Sequence, residues 1–99
     1  MMRVVHFICD KGVYTSPDGD QFVSAEWFFQ GGDNVVASIR EVRLHSSKAT
    51  PDYKRGTVEK WWKDPANNRY IFLCKTVEPK GEIATSWAQE KAFSTYEGE

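Results

Sequence analysis

The sequence predicts an α+β domain: a bent antiparallel sheet of five or six strands, able to close into a partly open small barrel, with one C-terminal helix. Three observations predict it. β-Branched and aromatic residues gather in short runs separated by turn residues, which is the pattern of strands. Helical spacing occurs once, near the C-terminus. The chain has 99 residues, 40% of them apolar, with no linker or repeat, which is one domain's worth of core. On this reading residues 1–77 form the sheet, 83–93 the helix and 94–99 an acidic tail.

The first strand is read over 3–9. Its apolar run is short, contains His6 and ends at Asp10 without a small-residue cleavage site, so a strand is favoured over a signal peptide. A turn at Asp10-Lys11-Gly12 leads to extended residues 13–16. Pro17-Asp18-Gly19-Asp20 then makes a hairpin turn, because Asp-Gly tolerates positive φ. In 21–29 the alternate residues Val23, Ala25, Trp27 and Phe29 should face the core. After a Gly31-Gly32-Asp33-Asn34 turn, 35–44 reads as a strand whose apolar parity changes midway. A bulge near Arg40-Glu41 would restore one apolar side. The polar segment 45–55 reads as an exposed loop.

Strands 57–63 and 69–77 flank Asp64-Pro65-Ala66-Asn67-Asn68. Setting Asp64 opposite Arg69 pairs Trp62 with Ile71, Trp61 with Phe72 and Lys63 with Tyr70. In this register Val58, Trp62, Ile71 and Leu73 suit the core. Glu78-Pro79-Lys80-Gly81 ends the sheet. Ile83, Trp87, Ala88 and Ala92 then recur at helical spacing among good helix formers.

Charge sets the expected partner. The net charge is −1, yet residues 38–80 hold ten Lys or Arg against five acids, and each flank is net negative. A basic middle can present a positive face to an anionic partner. The hairpin and the loop before it supply the expected site. Lys54, Arg55, Lys60, Lys63 and Arg69 would meet phosphates or carboxylates, while Trp61 and Tyr70 stack on bases and Tyr53 adds a ring. Taken singly, Trp61 and Tyr70 fit a core beneath the 83–93 helix better than an exposed platform.

The leading expectation is therefore a small non-catalytic module for nucleic acid, ahead of an acidic protein surface. A second is a homo-oligomer or protein-interaction subunit that pairs through an edge strand such as 3–9. A third is a small-molecule pocket or enzyme around His6 or His45, the two groups that ordinarily titrate near neutrality. No catalytic, nucleotide or metal pattern stands out, and no cofactor or metal is expected. Cys9 and Cys74 with two scattered histidines do not make a zinc set; both thiols are expected to be buried and reduced. No apolar run is long enough to cross a membrane. A cytoplasmic location is expected.

Overall fold

In a computed structural model, which describes residues 2–9, 13–24, 26–88 and 91–96, the chain forms one mixed seven-stranded sheet. The strands are β1 (Arg3–Ile8), β2 (Tyr14–Thr15), β3 (Gln21–Val23), β4 (Ile39–His45), β5 (Asp52–Asp64), β6 (Arg69–Val77) and β7 (Lys91–Thr95), with one helical turn, α1 (Asp33–Val36). Their order across the sheet is β2-β3-β6-β5-β4-β1-β7. Every neighbouring pair is antiparallel except β1 and β4. The parallel pair follows from the long connection through β2, β3 and α1, since parallel neighbours need a crossover.

The expected five- or six-stranded antiparallel sheet with a C-terminal helix is thus corrected on strand number, strand direction and the helix. Residues 83–93 form no helix among those described. The chain from Glu78 to Trp87 is irregular, with left-handed backbone at Gly81 and Ser86. It then enters β7, where Phe93 sits opposite Val5 and Ser94 opposite Val4. An isolated helix of eleven residues is marginal in water. Pairing with β1 instead satisfies a whole row of backbone donors and acceptors that would otherwise form a bare edge. Ser94 and Thr95, expected in the tail, belong to this strand; residues 97–99 lie outside the described chain.

β1 is consequently not an edge. It is paired on both sides over Arg3–Phe7, so no ladder remains on that stretch for a second chain.

Turn chemistry follows the sequence closely. Gly19 takes φ 75°, and the Asp18 carboxylate accepts from the Ser16 hydroxyl and the Asp20 amide. In the β5–β6 turn, Asp64 accepts from the Ala66 amide and Asn68 takes φ 59°. The long hairpin has the expected register from Asp64–Arg69 down to Lys60–Leu73. A bulge at Glu59 then shifts it, so that Val58 faces Cys74.

The core side of this hairpin is the reverse of the one expected. Tyr70, Phe72 and Cys74 point inward with Trp61 beside them, whereas Trp62 is exposed. The bulge returns Val58 to the core side. Burial of the free thiol pushes Cys74 up to about 12.

Residues 35–44 divide. Gly31 and Gly32 both take positive φ and turn the chain into α1, which buries Val36. β4 begins only at Ile39. One extra residue on β4, Arg40, interrupts its register with β1, and Ile39, Val42 and Leu44 all reach the core. In 21–29, Phe22 rather than Val23 is buried, and Trp27 and Phe29 then join it; Ala25 lies outside the described residues. Phe7 stacks on Trp27 with ring centroids 4.1 Å apart, at the centre of this core. Segment 45–55 is only partly loop, because β5 starts at a buried Asp52.

Candidate functional site

Strand alternation builds a polar site on the face opposite the core. In β1, Val5 and Phe7 enter the core, so Val4 and His6 turn the other way. In β4, Val42 and Leu44 point inward while Glu41, Arg43 and His45 alternate with them. In register, His6 lies beside Arg43, Arg43 beside Arg55 of β5, and Val4 beside Ser94 of β7.

Segment 78–88 covers this face. Asp52 holds it there: its two carboxylate oxygens accept from the Lys80 amide at 3.0 Å and the Glu82 amide at 2.8 Å. Trp87 packs edge-on to His45, 5.3 Å between centroids. Beside the covered residues a half-open cavity of about 800 Å³ remains, lined by His6, Glu41, Arg43, Arg55, Glu82 and Ser94 among others.

A chain of hydrogen bonds runs from the loop after β4 into this cavity. His45 Nδ1 lies 3.0 Å from the Thr50 carbonyl oxygen, His6 Nδ1 lies 2.9 Å from His45 Nε2, and His6 Nε2 lies 2.9 Å from Ser94 Oγ. A carbonyl can only accept, which, with both rings neutral, assigns the hydrogen positions. His45 donates from Nδ1 to Thr50. His6 donates from Nδ1 to His45 Nε2. The lone pair of His6 Nε2 then accepts the Ser94 hydroxyl. The Thr50 carbonyl is presented by a tight loop in which the Ser47 amide donates to Thr50 Oγ1.

The His6 ring is buried and Ser94 is exposed. Burial, then His45 and Arg43, pull His6 down to about 4, against smaller opposing effects of Asp52 and Glu82. His6 is therefore neutral at pH 7, as the assigned bond to Ser94 requires.

Glu41 is the electrostatic centre of the wall. It is 3% exposed and sits between two guanidiniums, with Arg43 Nε at 2.6 Å and Arg55 Nη1 at 3.0 Å. Arg43 also reaches Glu82 at 2.9 Å, and Arg55 Nε donates to the Glu78 carbonyl at 2.6 Å. Burial alone would lower Arg43, but Glu41 and Glu82 hold it above its ordinary value. Each guanidinium has five N–H donors, and these contacts use two on each. Lys80 also lines the cavity.

The residues expected to bind an anion are not brought together. Arg55 joins the cavity wall. Lys54 lies over the Phe22 ring at 5.1 Å. Tyr53 is exposed, with its hydroxyl donating to the Cys9 carbonyl. Tyr70 is 2% exposed and cannot stack on a base. Its hydroxyl donates to Asp33, which raises its pKa. Trp61 is half-buried against Tyr70, and Lys63 lies 5.8 Å over the same ring. Lys60 and Arg69 are exposed, and Arg69 borders a shallow groove with Trp62 and Tyr14 on the outer sheet face.

Sequence reasoning named His6 and His45 separately and missed Ser94, Glu41, Arg43 and Asp52. A signal was present: Glu41, Arg43 and His45 occupy every second position and alternate with the apolar Val42 and Leu44. Comparison with protein families, characterised proteins and solved structures finds no match for this chain.

Proposed function

We propose that the chain is a ligand-binding domain that takes a small polar molecule, or the end of one, bearing an anionic group into the cavity over β7, β1, β4 and β5. The supporting observation is the pair of guanidiniums braced by one buried carboxylate. Glu41 fixes Arg43 and Arg55 in position while leaving N–H donors on each, which is the preorganisation that carboxylate or phosphate recognition uses. A cavity of this size suits a small ligand.

A second reading retains nucleic acid as partner but moves it to the outer sheet face. Trp62 and Tyr14 are 38% and 74% exposed and flank Arg69, so a ring and a cation are available there.

One titration separates them. In 15N-labelled protein, phosphate and succinate are expected to shift the amide resonances of Glu82, Ala84 and Ser94, with binding at least tenfold weaker in Arg55→Met. Cavity resonances unmoved by millimolar concentrations of either anion would end the first reading. A short single-stranded oligonucleotide that shifts the Trp62 indole, and does so less as salt rises, would support the second.

A further inference from the structure

We propose that Ser94 is a nucleophile, with His6 as its general base and His45 as a positioning residue, and that the site transfers acyl groups from esters of small carboxylic acids bearing a second anionic group. The inference rests on the cavity being the ligand site and goes beyond it to a reaction.

The geometry carries it. A nucleophile and its base lie within hydrogen-bond reach, and the base is oriented by a third group, which is the general requirement for activating a serine hydroxyl. Here the order Ser94–His6–His45 ends on the Thr50 carbonyl, which, with both rings neutral, sets the direction of each donor. Ser94 is exposed on β7 and lines the cavity together with Arg43 and Arg55. A carboxylate bound at those guanidiniums would hold an ester in the same space as the hydroxyl.

The step balances without any further reagent. Ser94 Oγ bonds to the ester carbonyl carbon as its proton passes to His6 Nε2. The C–O bond to the alcohol then breaks, and His6 returns the proton to the departing oxygen. Water repeats the sequence on the acyl-serine: it gives a proton to His6, releases the acid and leaves Ser94 protonated again. While His6 carries the extra proton, its Nδ1–H bond to His45 remains, and Asp52 and Glu82 favour the charge. Burial, then His45 and then Arg43 oppose it. An anion bound at Arg43 offsets the Arg43 part of that opposition, so the base is strengthened when an anionic substrate is in place. The two guanidiniums lining the same cavity as Ser94 are the reason for assigning esters with a second anionic group.

The test uses the whole chain and a fluorophosphonate probe, which forms a P–O bond to an activated serine and releases fluoride, the serine proton passing to His6. Intact-mass and peptide analysis are expected to show one adduct, on Ser94, formed at least a hundredfold faster than with urea-unfolded protein and absent from Ser94→Ala. Ser94 is exposed, so that variant retains the fold. His45→Phe leaves the His6 Nδ1–H without an acceptor and should slow labelling and alter its pH profile; His45→Gln supplies an oxygen acceptor and should restore part of the rate. The p-nitrophenyl monoester of succinic acid is expected to react about tenfold faster than p-nitrophenyl acetate. An adduct elsewhere, or labelling no faster than in the unfolded chain, overturns the reaction. If succinate and phosphate still move the cavity resonances in that case, the binding reading stands and only the nucleophile fails. If labelling succeeds but Arg55→Met leaves anion binding unchanged, the nucleophile stands and anion recognition fails.

Discussion

Phe7→Ala is expected to lower the unfolding free energy by about 3–5 kcal/mol, the range for deleting a buried aromatic from a packed core. The Phe7 ring is fully buried. It stacks on Trp27 and meets Phe29 and Phe72 at steeper angles, so its removal leaves three large rings facing a void they cannot close together. Domains of this size have roughly 5–15 kcal/mol in total, so the variant is left near the edge of folding. Urea denaturation should show a large fall in midpoint with an unchanged slope. Phe7→Leu, which keeps most of the volume, should cost well under half as much. A fall below about 1 kcal/mol for Phe7→Ala would mean that the Phe7–Trp27 stack is not where the core is held, contrary to cavity energetics.

Glu41→Ala is expected to cost about 3 kcal/mol, the lower end for removing one partner from a buried ion pair. Arg43 and Arg55 stand directly opposite each other on β4 and β5, and Glu41 bonds to both. Without it, two guanidiniums repel across adjacent strands, though the open cavity lets water screen part of the cost. Glu41→Gln keeps an oxygen acceptor and the shape, and should lose less. The variant should also bind succinate with altered affinity, because the two arginines are no longer held together. Equal stability of wild type and Glu41→Ala in urea at pH 7 would remove Glu41 from its role as the brace of the cavity wall.

Local features of the fold were legible where short-range chemistry decides them. Asp18-Gly19 and Asp64 with Asn68 announced their turns, and the parity change at Arg40 announced the bulge. The hairpin register followed from placing Asp64 opposite Arg69. Long-range competition was not legible. Residues 83–93 have helical spacing, but the unpaired side of β1 offers them a ladder that no local pattern reveals. The inward side of the β5–β6 hairpin depended on which aromatics meet Phe7, Phe29 and Trp27, a matter settled by elements far away in sequence. The site was hidden for the same reason. Ser94 and His6 are 88 positions apart, and only the β1–β7 pairing brings them together. The segregated charge pointed to a basic face, but strand alternation sends Trp61, Lys63 and Tyr70 to one side and Arg55 and Arg69 to the other.

The low proton affinity of His6 also ties the site to stability. The unfolded chain takes up a proton near 6.5, whereas the folded ring does so near 4. Above pH 6.5 both forms are neutral and the ring contributes no pH dependence. Between 6.5 and 4 only the unfolded state gains the proton, so stability falls as the pH falls through that window, by about 2 kcal/mol after screening by water in the cavity. Below 4 there is no further loss from this group.

A directed chain of hydrogen bonds runs from Thr50 through two imidazoles to Ser94, and histidine 15N chemical shifts report the hydrogens along it. At pH 7 His6 is expected to carry hydrogen on Nδ1 and none on Nε2, and should hold that form until the pH approaches 4; His45 is expected to carry hydrogen on Nδ1, facing the Thr50 carbonyl. Hydrogen on Nε2 of His6 at pH 7, or protonation of His6 near its ordinary value of 6.5, would break that chain.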